Sequence, residues 1–127
     1  KDVEKKQAMA VRRDTGEKIP LGLSTLGVEV PKLLVTMQSE MLAKAEALLS
    51  GSIVRVETSA DVIKQVELRK MALVPWCGGV KCEEAFKDKT GIKSLNEPFE
   101  QPTLKKGQKC FACSAGALRF HYFGKSY

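Results

Sequence analysis

Apolar positions change their spacing several times along this chain, and the changes mark out its elements. Within residues 23–49, Leu34, Met37, Met41, Ala45 and Leu48 recur at steps of three or four, which predicts a helix with one apolar stripe. Ser24 can cap a short first segment, and Gly51 stands where helices commonly stop. Pro31 either starts a second, longer helix or kinks a single one. We read the methionine-bearing stripe as docking on the chain's own core rather than as a binding face.

Either side of that helix the period shortens. Residues 7–11 and 18–21 read as two strands around the charged turn 12–17. A lone hairpin is marginal in water, so this one requires a sheet that the chain does not contain, and residues 1–22 look like the end of something larger. After the helix, β-branched Ile53, Val54 and Val56 predict a strand over residues 52–58. Ser59 then caps a helix over residues 60–70 with Val62, Ile63 and Val66 inward, and residues 71–76 form a short buried strand. A helical turn is expected over residues 83–89, ended by Gly91. Pro98 and Pro102 make residues 93–103 an extended connection, and residues 118–123 alternate as a final strand. The pattern has no internal repeat.

At 127 residues the chain has room for one domain with a real core. Its longest apolar run is too short to span a bilayer, which excludes a helical membrane span. The formal net charge is +6, and four thiolates with one bound dication would lower it by two. The positive excess is uneven: Lys105, Lys106, Lys109, Arg119 and Lys125 follow Glu100 with no acidic side chain among them. Phosphate is a plausible neighbour for such a surface, although a solvated lysine face is commoner.

All four cysteines lie in two close pairs, Cys77 with Cys82 and Cys110 with Cys113. Each spacing lets a loop turn two sulfurs toward one point, and Gly78 and Gly79 tolerate the positive φ that such loops need. A tetrahedral zinc site with four thiolate ligands is the natural reading, although the gap from Cys82 to Cys110 exceeds that of the tightest zinc ribbons. Two disulfides, or buried apolar thiols that happen to fall in pairs, remain the competing readings. Redox catalysis by Cys110-Phe111-Ala112-Cys113 is disfavoured, because a strand rather than a helix follows the motif and a second pair invites shared ligation.

Nothing else in the chain assembles a reaction centre. His121 is the only histidine and sits among Phe120, Tyr122 and Phe123, as a packed or surface residue of a strand does. No glycine loop is followed by the lysine that phosphate cradles need, and the carboxylates are scattered among lysines. No catalytic residue is predicted.

Four stretches together resemble the C-terminal portion of prolyl-tRNA synthetase of the archaeal and eukaryotic type. Lys1-Asp2 with Val11-Arg12-Arg13-Asp14-Thr15-Gly16-Glu17-Lys18 resembles the end of the class II anticodon-binding domain. Ala72-Leu73-Val74-Pro75-Trp76-Cys77-Gly78 through Cys82-Glu83-Glu84 is similar to the strand and first zinc loop of the family's last domain. Lys93-Ser94-Leu95 with Pro98-Phe99 resembles the segment between the metal loops, and Phe123-Gly124-Lys125-Ser126-Tyr127 the family's ending. Two departures stand out. Lys125 replaces an arginine and loses its planar donor fork, and Ser114 replaces a glycine, so that Gly116 or a strained serine must turn the loop.

The resemblance implies an α+β fold: a small mixed sheet with helices, stapled by a four-cysteine zinc site and preceded by the end of an α/β anticodon-binding domain. Residues 1–50 would be that end with a connecting helix, and residues 51–127 the zinc-binding domain. It implies part of a proline–tRNA ligase, inactive alone, with ATP and magnesium bound in a catalytic core upstream. The prolyl half of a glutamyl-prolyl enzyme fits the same pattern. Cys77, Cys82, Cys110 and Cys113 would be the zinc ligands. Arg12, Arg13 and Lys18 are candidates for contact with tRNA-Pro, and Tyr127 for a terminus facing the active site. The implied whole is a cytoplasmic homodimer acting on proline, ATP and tRNA. The alternative is a free-standing zinc module that binds RNA or protein.

Overall fold

The computed structural model describes residues 4–125, and these divide into two compact units, meeting between Leu48 and Leu49 in sequence. In the first unit, β1 (Gln7–Val11) and β2 (Lys18–Gly22) form an antiparallel hairpin in which Gln7 faces Gly22 and Val11 faces Lys18. Gly16, at φ +76°, closes the turn by donating its N–H to the Arg12 carbonyl at 2.8 Å. Arg12 is only 6% exposed, because its guanidinium is spent within the fold. It donates to both Asp14 carboxylate oxygens, at 3.1 and 2.7 Å, and to Glu40 of the following helix. These bonds hold the Asp14 carboxyl below its ordinary range.

That helix, α1 (Leu26–Ser52), runs unbroken through Pro31 and past Gly51. Pro31 lies near its start, where a lost N–H removes a single bond of a long ladder. None of its residues is buried, so the apolar stripe does not dock on a core of its own as its periodicity suggested. Leu34 is 59% and Leu48 73% exposed, while Leu26, Leu33 and Met37 are half-buried. A 27-residue helix with an apolar face toward water keeps its backbone bonds but gains little from burial.

The second unit is built on a four-stranded mixed sheet. Strand β3 (Ile53–Arg55) leads through α2 (Ser59–Glu67) to β4 (Met71–Trp76), its parallel neighbour, forming the expected strand–helix–strand unit. Thr58, not Ser59, caps α2: its Oγ1 accepts the Asp61 N–H at 3.2 Å, leaving Ser59 Oγ to donate to the Phe111 carbonyl at 2.7 Å. Val62 and Val66, four apart on α2, bury against the sheet. Helix α3 (Val80–Thr90) starts earlier than its sequence suggests and ends on Gly91 at φ +71°. The short β5 (Lys93–Ser94) and the final β6 (Arg119–Gly124) complete the sheet in the order β3-β4-β6-β5.

Alternation along β4 and β6 sets the core. Ala72, Val74 and Trp76 of β4 face the same side as His121 and Phe123 of β6, beneath Val62 and Val66. Phe123 sits centrally, its ring 4.8 Å from Phe111, 5.8 Å from Trp76 and 6.2 Å from Phe86. Pro75 is tolerated in this middle strand because β3 has ended opposite Leu73 and its opposite residue, Phe120, turns both backbone groups to the other edge.

This packing carries a direct test. Phe123→Ala should lower the unfolding free energy of the second unit by about 3–5 kcal/mol, whereas Leu34→Ser should change stability by less than about 0.5 kcal/mol. Denaturant unfolding followed by Trp76 fluorescence measures the first and circular dichroism the second. A small effect at Phe123 would contradict the described core.

Candidate metal centre

Three pieces of backbone bring the cysteines together. Cys77 follows the last residue of β4, so the sheet fixes where its sulfur can go. Gly78, at φ +74°, turns the chain there, and Gly79 begins α3 with an extended backbone. The N–H groups of Cys82 and Glu83 both donate to the Gly79 carbonyl at 3.1 Å, which places Cys82 in the first helical turn. A β-carbon on Gly79 would stand 3.5 Å from Cys77 Sγ and 3.8 Å from Cys82 Cβ, so the pair closes tightly around it.

The second pair sits on a hairpin-like knuckle. Lys109 bridges to Gly116, and the Cys110 N–H donates to the Ala115 carbonyl at 2.7 Å. Ser114 takes φ +59°, so the turn uses the strained serine that its sequence allowed for. Two bonds fasten the knuckle to the end of β4: Phe111 N–H to the Pro75 carbonyl at 3.0 Å, and Leu118 N–H to the Trp76 carbonyl at 2.8 Å.

Close sulfur approaches join the two pairs. Cys77 and Cys113 are 3.5 Å apart, and Cys82 and Cys110 are 3.8 Å apart. All four sulfurs lie within 4.8 Å of one another, and all four cysteines are free. Tetrahedral thiolates at about 2.3 Å from a metal stand about 3.8 Å from each other, so the cluster has the dimensions of such a site. These four residues could hold a metal ion.

Their electrostatics run the same way. Burial pushes the Cys82 and Cys77 thiols up, since a thiolate there has lost its water. Cys113 is exposed and comes down to about 7, chiefly through its hydrogen bond with the Ala115 backbone. Four neighbouring thiolates repel one another unless a cation neutralises them, and a dication between them reverses the effect of burial.

The remaining predicted residues fall elsewhere. Arg12 is turned inward on Asp14 and Glu40, and Arg13 and Lys18 are exposed. Tyr127 lies outside the described residues. His121 packs on Trp76 with ring centroids 4.8 Å apart, and burial lowers its pKa. Its Nδ1 and Trp76 Nε1 lack partners among the described residues. Sequence reasoning missed Gln101, whose amide pairs with the backbone of Phe120 like a strand, and Glu83, which accepts from Ser94. Only the bend at Pro98 and Pro102 hinted that this connection is anchored.

A mixed sheet whose strand end, helix start and knuckle converge on four thiols defines an α+β module with a cluster that could hold a metal ion. The family model described as "Prolyl-tRNA synthetase, C-terminal" matches residues 60–127. A putative proline–tRNA ligase of Saccharomyces cerevisiae is 32% identical over 145 residues, covering all of this chain and 21% of that protein. Proline–tRNA ligase 2 of Bacillus thuringiensis subsp. konkukian is 36% identical over 129 residues, covering all of this chain and 26% of its own length. Prolyl-tRNA synthetase from Cryptosporidium parvum, solved with halofuginone and AMPPNP, superposes with a TM-score of 0.94 at 39% identity, over 99% of this chain and 27% of that one. The chain therefore belongs to the prolyl-tRNA synthetase family and corresponds to its C-terminal portion. It spans about a quarter of the relatives it matches.

In metal-free, reduced protein, iodoacetamide should modify Cys113 first, at a rate that climbs as pH passes about 7. Cys82 should lag by on the order of tenfold or more at neutral pH. Peptide mass spectrometry reads the order, and equal rates at all four positions would contradict the described cluster.

Proposed function

We propose that this chain is the C-terminal part of a proline–tRNA ligase, which activates proline with ATP and transfers it to tRNA-Pro. The supporting observation is the family match over residues 60–127 together with relatives aligned across the whole chain. On this reading the chain supplies no catalytic group. ATP and magnesium bind in the part of the longer enzyme that it does not span, and that enzyme is a homodimer. A cytoplasmic location is supported by a relative named as the cytoplasmic proline–tRNA ligase of Arabidopsis thaliana, 33% identical over 132 residues. No described helix is long and apolar enough to cross a membrane.

Within that enzyme, residues 1–50 end the anticodon-binding domain and residues 51–127 form the zinc domain. The exposed apolar face of α1 suits a helix covered by more of its own domain. Arg13 and Lys18 are available to tRNA phosphates, while Arg12 shapes the turn that carries them. Tyr127 ends the chain toward the active site. Cys77, Cys82, Cys110 and Cys113 hold one zinc ion in a structural site with no open position. Bound there by these four residues, zinc would supply a link between two parts of the chain that lack a disulfide. Metal binding would displace the protons of thiols raised by burial into solvent, so affinity falls as pH is lowered.

Two measurements test the reading. The full-length protein should charge tRNA with proline and no other amino acid, and failure to do so would refute the assignment. It should carry about one zinc per chain, lost in a Cys82→Ser, Cys110→Ser double variant, and strong chelation should melt the second unit before the first. Full metal content in that variant would exclude the proposed ligands.

A further inference from the structure

Beside the four sulfurs a groove of about 450 Å³ lies between α2 and α3, closed at one end by the knuckle. Ile63 of α2, Phe86 of α3 and Ala112 give it apolar walls. Its shape is set before any ligand arrives, because Ser59 Oγ ties α2 to the knuckle through the Phe111 carbonyl at 2.7 Å. Cys82 and Cys113 line the knuckle end, and Lys89, in the last turn of α3, lines the far end. Cys82 and Lys89 stand about 10 Å apart along the axis of α3. Among the described residues no carboxylate lines the groove and Lys89 makes no ion pair.

The chemistry differs at the two ends. Of the four thiols only Cys113 is exposed; Cys77 and Cys82 are half-buried and Cys110 is buried. A ligand lying in the groove therefore meets one accessible sulfur at one end and one unpaired ammonium at the other. We propose that the groove seats a small peptide disulfide bearing carboxylates, of the glutathione class, and that Cys113 exchanges with it to form a mixed disulfide. In that step the Cys113 thiolate attacks one sulfur of the incoming disulfide. A bond forms between them, the incoming S–S bond breaks, and the other half leaves as a thiolate. The incoming disulfide is itself the oxidant, so no further co-reactant is needed. Cys113 is thereby lost from the four-sulfur cluster, and this consequence alone rests on the reading of that cluster as a zinc site.

Size and charge select this ligand. A volume of about 450 Å³ falls in the range of small-ligand sites, whereas a stable protein partner buries roughly 1,200 Å² or more. A tripeptide extended along the groove reaches about 10 Å, the span from the sulfurs to Lys89. Its carboxylate meets the ammonium while its backbone and methylenes cover the apolar walls. An uncharged disulfide lacks that pairing.

The test uses the full-length synthetase that contains this chain, purified reduced, with its bound metal measured first. Glutathione disulfide and the uncharged hydroxyethyl disulfide are added in parallel, samples are quenched in acid over time, and peptide mass spectrometry locates each adduct. The first glutathione adduct should fall on Cys113. There glutathione disulfide should outpace hydroxyethyl disulfide on the order of fivefold, once each rate is divided by that reagent's rate with free cysteine. Lys89→Glu should remove the preference and leave the hydroxyethyl rate unchanged. Excess S-methylglutathione, which cannot exchange, should slow the glutathione reaction. No adduct, a first adduct elsewhere, an internal disulfide with no preceding adduct, a preference that is absent or survives Lys89→Glu, or no slowing by S-methylglutathione overturns the proposal. Metal should pass to a chromophoric chelator in step with the adduct, and metal retained after modification of Cys113 overturns the loss of a ligand. Protein free of metal at the outset refutes the zinc reading, while the order and preference of the adducts still decide the groove.

Discussion

The constraint around which the loops of the second unit are arranged is the convergence of its four sulfurs within 4.8 Å of one another. Cys77 lies 3.5 Å from Cys113 and Cys82 3.8 Å from Cys110, so the cluster joins segments 36 and 28 positions apart as well as closing each small loop. A metal ion held by all four would restrict the unfolded chain more than two local clips would, since loop closure over longer segments removes more freedom. It would also fix the end of β4 and the first turn of α3 against the knuckle. Phe111 and Cys110, both buried, enter the core only because the knuckle is held there. The aromatic cluster around Phe123 and the sulfur cluster are therefore two sides of one arrangement.

Such a module solves a problem of size. About eighty residues with a four-stranded sheet bury limited apolar surface, and small domains commonly need a metal or a disulfide to add what the core cannot. The first unit faces the same difficulty with no staple. Its hairpin is braced by Arg12 on three carboxylates, Asp14, Glu40 and Glu17, and its long helix keeps an apolar face in water. Both features agree with a region whose remaining partners belong to a longer enzyme.

Strand periodicity and turn chemistry were legible where local physics decides. Residues 71–76 follow from a short apolar run, and the hairpin from strands read at 7–11 and 18–21 around a charged turn, the second reaching Gly22 in the structure. The cysteine spacing pointed to convergence, but not to the two bonds that fasten the knuckle to the end of β4, which depend on how the two meet in three dimensions. Two readings failed for physical reasons. The stripe on α1 has the right period for burial, yet periodicity says which face is apolar and not what covers it. Thr58 displaced Ser59 as the cap because Ser59 Oγ is drawn to the Phe111 carbonyl, 52 positions away. The Gln101 clamp was equally invisible, since a side chain replacing a strand leaves no period in the sequence.

X-ray absorption at the zinc edge, on protein purified without chelators under anaerobic conditions, tests the central claim most directly. Four sulfur neighbours at about 2.3 Å and no nitrogen or oxygen in the first shell are the predicted result. A first shell containing nitrogen or oxygen, or protein free of metal with its cysteines joined as disulfides, would contradict the account.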